Sequence, residues 1–201
     1  MFRHVGDLLA EILASAGVRH VFGVPGGQTG PLYEGIFDRR PTIDHVLVRD
    51  ERSGVYAADG YARASGRLGV CDATVGPGAT NLVSGLAEAL NSSTPLLAII
   101  ADIPRDMEHH RAYGRISQGF RQADTLRPVT KAFVRLDDPA TAATTIASAI
   151  QTALAGRPGP VVLEIPDDVF SGPVPPQDLP PLSIEFPLDR PVASSAALNL
   201  A

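Results

Sequence analysis

Glu51 is the residue around which chemistry gathers in this sequence. It follows His45-Val-Leu-Val48, a short β-branched run, and opens Glu51-Arg-Ser-Gly-Val-Tyr-Ala-Ala-Asp59-Gly-Tyr-Ala-Arg63, an Ala-rich stretch with helical spacing that closes at Gly66. A carboxylate so placed sits at the carboxyl end of a strand, where the strand-to-helix turns of an open α/β sheet leave a crevice for ligands. A carboxyl group at such a crevice can do acid-base work. The competing reading is plain: the helix dipole alone favours an acid in a first turn, by about 0.3 to 1 kcal/mol. Two glycine turns keep Glu51 company, though taken alone the second reads equally well as a plain strand-to-helix connector. Pro25-Gly-Gly27 and Gly76-Pro-Gly78 each follow an apolar run, and glycine lets another molecule approach the backbone closely.

Positioning these residues requires alternating strands and helices. Val5, Leu8, Leu9, Ile12, Leu13 and Ala16 repeat at helical spacing, with Gly17 as the stop. A strand His20 to Val24, a helix from about Pro31 and a strand at His45 to Val48 precede the helix from Glu51. A strand Gly69 to Val75, a helix Ala79 to Ser92 and a strand Pro95 to Ala101 follow it. A long irregular segment then runs to about Pro128, before a helix Pro139 to Ala155 and a strand Val161 to Ile165. Strands alternating with helices predict a parallel sheet covered by helices on both faces, a three-layer α/β/α domain over residues 1–170. From Ser171 the composition shifts to Pro173, Pro175, Pro176, Pro180, Pro181 and Pro187, a stiff extended connector over residues 171–201. Its final residues, from Val192, look like the first turns of a further helix.

At 201 residues and 44% hydrophobic, the chain can bury one ordinary core. A net charge of -5 without a basic run argues against nucleic-acid binding. No apolar stretch approaches the roughly 20 residues of a membrane span, and no signal-peptide pattern opens the chain, so the cytoplasm is expected. Cys71 is the only cysteine, which excludes an intrachain disulfide or cysteine-cluster metal site, and its apolar strand marks it as a buried filler. Dinucleotide binding fails on spacing. Gly76-Pro-Gly-Ala-Thr-Asn81 has Asn where the third glycine belongs, and no acid sits about 20 residues onward.

Five ordered motifs carry a resemblance. Val24-Pro-Gly-Gly27, Val48-Arg-Asp-Glu51, Ala57-Ala-Asp-Gly-Tyr-Ala-Arg63, Gly76-Pro-Gly-Ala-Thr-Asn81 and Gly156-Arg-Pro-Gly-Pro-Val161 make the chain similar to the pyrimidine-binding (PYR) domain of thiamine diphosphate enzymes. The nearest groups are the acetolactate synthases, pyruvate oxidases and benzoylformate decarboxylases. The resemblance implies that Glu51 hydrogen-bonds N1' of the cofactor aminopyrimidine, favouring the imino tautomer whose 4'-nitrogen removes the thiazolium C2 proton. It implies cofactor contacts from Pro25, Gly26, Thr74, Pro77, Gly78 and Asn81. The reaction implied is decarboxylation of 2-oxoacids, with carboligation to a second carbonyl compound, as a lyase or transferase. The family anchors the diphosphate through Mg²⁺ held by a Gly-Asp-Gly stretch and a later Asn, which this chain lacks: Asp59-Gly60 has neither. The chain alone is therefore expected to be inactive, completed by a diphosphate-binding domain of the same or another subunit in a homodimer or homotetramer. Its Pro-rich end would lead to a central domain, making this the N-terminal module of a longer protein. The alternative is a non-catalytic PYR-like binding or assembly subunit, against which the intact Glu51 argues.

The segment Ile103 to Pro128 departs most from the family. Acetolactate synthases carry Phe-Gln-Glu where this chain has Phe120-Arg-Gln122. Arg121 would clamp a substrate carboxylate bidentately or point to solvent. His109 and His110 resemble a His-His pair of some 2-oxoacid decarboxylases and would deliver protons, or would be solvated in a charged loop. Gln28, His109, His110, Phe120 and Arg121 are the candidates for substrate contact.

Overall fold

A computed structural model of the chain describes residues 2–176 and Leu179. The Pro-rich connector beyond Pro176, Leu179 apart, and the helix start expected from Val192 lie outside the described residues.

Six parallel strands form one sheet: β1 (His20–Gly23), β2 (Asp44–Leu47), β3 (Gly69–Ala73), β4 (Leu96–Asp102), β5 (Ala132–Arg135) and β6 (Pro160–Pro166), in the order β2-β1-β3-β4-β6-β5. The three central strands β3, β4 and β6 are buried along their whole length. That is why they read as continuous apolar runs rather than alternating ones. Alternate residues still choose opposite faces: Leu97, Ile99 and Ala101 enter one core, and Leu96, Ala98 and Ile100 the other. The first core is closed by α1 (Val5–Ser15), α2 (Gly30–Asp38) and α8 (Ala142–Leu154). The second is closed by α3 (Glu51–Ser65), α4 (Pro77–Asn81), α5 (Val83–Asn91) and α7 (Gln122–Leu126). Short helices α6 (Glu108–Arg111) and α9 (Asp167–Phe170) complete the set. Each fully buried Leu, Ile or Val contributes about 1.5 to 3 kcal/mol, far more than any single cap or surface pair, so burial on two faces holds the layers together.

The α/β/α class expected from the alternation is the one observed. Three local features differ from or add to the expectations. A strand, β5, lies between Pro128 and Pro139, where no element was expected: four half-buried residues at a sheet edge, paired with β6 from Ala132↔Val161 to Arg135↔Glu164. So short an edge strand leaves little periodicity to read. The single helix expected over 79–92 is α4 followed by α5, because the Leu82 N–H bonds to the Ala79 carbonyl, a tighter i→i+3 turn, and the helical ladder resumes with Leu86 N–H to the Leu82 carbonyl. The segment from Ile103 to Pro128 also contains α6 and α7. Cys71 is fully buried in β3, as its surroundings predicted, and burial pushes its thiol pKa up. Among the described residues no helix is long and apolar enough to cross a membrane.

The strand order sets the site. From β1 the chain steps outward to β2, then returns past β1 to β3, so β1 and β3 flank the point where the winding reverses. All strands being parallel, their carboxyl ends lie along one edge, and the turns after β1, β2 and β3 meet there.

Candidate active site

Glu51 reaches this edge because Asp50 ends the extended chain after β2 and caps α3. The Asp50 carboxylate accepts from the Arg52 N–H at 2.9 Å and pairs with the Arg52 guanidinium at 2.6 Å. Hydrogen bonding from Arg52 holds the Asp50 carboxyl down at about 2. The cation next to Glu51 in sequence is thereby tied to Asp50. Gly66, in a left-handed conformation (φ 67°), ends α3 where the sequence placed its close.

The turn after β3 packs on the Glu51 carboxylate, and the turn after β1 packs on the turn after β3. Gly76 adopts φ 70° and ψ -115°, a conformation that suits glycine, and Pro77 then starts α4. Asn81, at the last position of α4, donates from Nδ2 to Glu51 Oε2 at 2.9 Å. Gly78 lies against the same group, since a β-carbon there would stand 3.3 Å from Glu51 Oε1 and 3.0 Å from Thr74 Cγ2. From the turn after β1, Gly26 packs on Thr74 so closely that a β-carbon would come within 2.3 Å of Thr74 Cβ. Thr74 Oγ1 donates to Gln28 Oε1 at 2.8 Å. Glu51, Thr74, Gly78, Asn81, Gly26 and Gln28 thus share one contact set, and the exposed prolines Pro25 and Pro77 sit on its two turns. At both glycines of this set a β-carbon would press on Thr74, so the bare backbone is what lets the two turns pack together.

Behind this edge lies a polar cluster that the sequence reading did not find. Asp72, wholly buried in β3, accepts from Tyr33 Oη at 2.6 Å and lies 3.2 Å from His45 Nε2. The Tyr33 and His45 rings are 4.5 Å apart. Burial raises the pKa of Asp72 despite the hydrogen bonds from His45 and Tyr33, and the charge of Glu51 adds to the rise. Burial, then Asp72, pushes the Tyr33 phenol up, and Glu51 adds to that shift too. The signal was present: an aspartate inside the apolar run Gly69-Val-Cys-Asp-Ala73 has no packing reason to be there.

The candidates beyond Ile103 lie elsewhere on the edge. His109 and His110 lie side by side on α6 with ring centroids 3.9 Å apart and planes tilted by 39°, the first exposed and the second half-buried. Phe120 lines a surface pocket with Glu108, Arg111 and Arg121. Arg121, 76% exposed along its side chain, pairs with Asp124 at 3.0 Å. Among the described residues none of these four shares a hydrogen bond or ion pair with the Glu51 contact set. A polar pocket of about 540 Å³ opens past β4, β6 and β5, floored by Asp102, Glu164, Arg111 and Arg135. Arg135 Nη1 lies 2.5 Å from Asp102 and 2.6 Å from Glu164, and Arg111 lies 2.7 Å from Asp102.

The carboxylate and the two glycine turns lie at the sheet's reversal point, the place where open α/β sheets take ligands. Sequence comparison gives the kind. The model of the family described as thiamine pyrophosphate enzyme, N-terminal TPP binding domain, matches residues 3–125, and the chain belongs to that family. It is 42% identical over 166 residues to an acetolactate synthase of Arthrospira platensis, covering 80% of this chain and 28% of that protein. It is 36% identical over 189 residues to a probable acetolactate synthase large subunit of Methanocaldococcus jannaschii, covering 92% and 30%. A chloroplastic acetolactate synthase of Arabidopsis thaliana is 42% identical over 167 residues, covering 83% and 24%. The chain thus spans less than a third of the length of these relatives.

Proposed function

We propose that this chain seats the aminopyrimidine of thiamine diphosphate at the β1/β3 reversal point, with Glu51 holding a proton against the ring nitrogen. One observation carries this reading: the Glu51 carboxylate is fixed on one oxygen by Asn81, while its other oxygen lies against the bare backbone of Gly78, where a β-carbon would stand 3.3 Å away. A carboxyl group oriented in that way is set to share a proton with a ring nitrogen laid between the turns. Gly26 and Thr74 would form the opposite wall, with Pro25 and Pro77 at its rim. When bound, the cofactor supplies the carbon nucleophile that attacks the carbonyl of a 2-oxoacid.

The protein so built would be an acetolactate synthase-like decarboxylase and carboligase of the cytoplasm, in which residues 1–170 are the PYR domain and 171–201 connect it to the rest. A diphosphate-binding domain, of the same or a neighbouring subunit, would hold Mg²⁺ through oxygen ligands. Gln28, bonded to Thr74, is the substrate-side candidate joined to the site; Phe120 and Arg121 would reach a substrate from the pocket they line, and His109 and His110 from α6. Glu51→Gln in the complete enzyme tests the reading. Turnover should fall by about 10² to 10⁴ while the melting temperature stays unchanged. Near-normal turnover would remove Glu51 from the chemistry.

A further inference from the structure

We infer that Gln122 is a positioning residue for this site, acting through the Gly76–Gly78 turn. The inference rests on the reading above and adds a residue from the segment that departs most from the family. Gln122 opens α7 and is 1% exposed. Its Oε1 accepts from the Gly76 N–H at 2.8 Å. Its Nε2 donates on the other side, to the Ala101 carbonyl at 3.0 Å and Glu164 Oε1 at 2.9 Å, with Asp102 Oδ1 at 3.3 Å. One amide side chain therefore ties the glycine turn to the carboxyl ends of β4 and β6.

The chemistry of the two ends calls for an amide. One end must accept from a backbone N–H, and the other must donate to two carboxylates and a carbonyl. A glutamate here would set a third carboxylate against Asp102 and Glu164. A methionine would fill the space, leave the Gly76 N–H without its acceptor and take one donor from each carboxylate. The groups facing Gln122 are the Asp102 carboxylate from β4, the Glu164 carboxylate from β6, and the Arg135 and Arg111 guanidiniums that pair with them from β5 and α6. The turn is also backed by Gln118, whose carbonyl would stand 2.6 Å from a β-carbon on Gly76. Downstream, the turn carries Gly78 against Glu51 Oε1 and leads to Asn81 on Glu51 Oε2. Slack at Gly76 therefore reaches both oxygens of the Glu51 carboxylate.

The test uses the complete enzyme with Gln122→Met, Gln122→Glu and Glu51→Gln. Hydrogen exchange is followed in the peptide spanning residues 74–82, and thiamine diphosphate affinity is measured by calorimetric titration. For Gln122→Met we expect exchange at Gly76 and the cofactor Kd each to rise about tenfold, the factor corresponding to one net hydrogen bond. The loss in kcat/KM should be larger at limiting than at saturating cofactor. Gln122→Glu should approach the wild-type Kd below about pH 5, where its own carboxyl is protonated and can donate, and should lose affinity as pH rises. Gln122→Met has no such group, so the ratio of the two variants isolates the introduced carboxyl from the surrounding charges. Should Gln122→Met fail to fold, the acidic limb of Gln122→Glu still decides the matter. The inference is overturned if Gln122→Met leaves exchange and Kd unchanged while Glu51→Gln abolishes turnover. It is also overturned if exchange rises equally in all peptides, which marks a purely structural role. Normal turnover by Glu51→Gln would overturn the cofactor reading instead, and this inference with it.

Discussion

Arg135→Met should cost this domain about 3 kcal/mol at neutral pH, and the loss should fade in acid. Arg135 Nη1 serves two carboxylates that are almost out of water, Asp102 at 0% and Glu164 at 3% exposure. Removing one partner of a buried pair usually costs about 3 to 5 kcal/mol, because an uncompensated charge is left behind. Here the lower end applies: among the described residues Asp102 keeps Arg111 at 2.7 Å, whereas Glu164 keeps only the Gln122 amide. The sign with pH follows from Glu164. Burial, then Asp102, already raises its carboxyl above the ordinary 4.5, and the Arg135 hydrogen bond is what restrains the rise. Without Arg135 the folded-state pKa climbs further. A carboxyl raised in the fold contributes fully below its unfolded pKa, and that contribution is lost as pH rises through the folded value. The variant should therefore lose little at about pH 4 and the most above about pH 7. Urea unfolding of wild type, Arg135→Met and Arg135→Met/Glu164→Gln across that range measures it. The double variant should recover most of the loss, because the neutral amide no longer needs a cation. A cost under about 1 kcal/mol at neutral pH, as for an exposed pair, would refute the reasoning. So would a cost that does not change with pH.

Further expectations concern the site and its backing. Gly26→Ala places a β-carbon 2.3 Å from Thr74 Cβ, so the turn must shift, at about 1 to 3 kcal/mol in a denaturant midpoint; an unchanged midpoint would show that the two turns are not in contact. Asp72 has a folded pKa above its ordinary 3.8, so its contribution is complete below that value and lost as pH rises through the folded one. Asp72→Asn stays neutral and still accepts from Tyr33, and it should be more stable than wild type at neutral pH, with a flatter pH profile. A less stable Asn variant at neutral pH would be the contrary result. Cys71, buried and raised in pKa, should resist a disulfide reagent in the native protein and react on unfolding; rapid native labelling would contradict its burial.

Much of this domain is written locally in its sequence. The alternating βα pattern, the Asp50-Glu51 start and Gly66 stop of α3, and the glycines of the two turns are set by neighbours within a few residues. Hydrophobic period, capping and backbone freedom act over that range, so the α/β/α class and the place of Glu51 at a strand end were legible. Thr74, Asn81 and Gln28 were named through the family resemblance, but the polar groups behind the site were not legible. Asp72 belongs with Tyr33 and His45, and Gln122 belongs with Gly76, only because strands distant in sequence pair in the order β2-β1-β3-β4-β6-β5. Strand β5 escaped notice for the same reason: its four residues acquire their role by pairing with β6. A buried polar side chain takes its meaning from the groups that satisfy its hydrogen bonds. Which groups those are depends on strand order and packing, and these the tertiary structure decided.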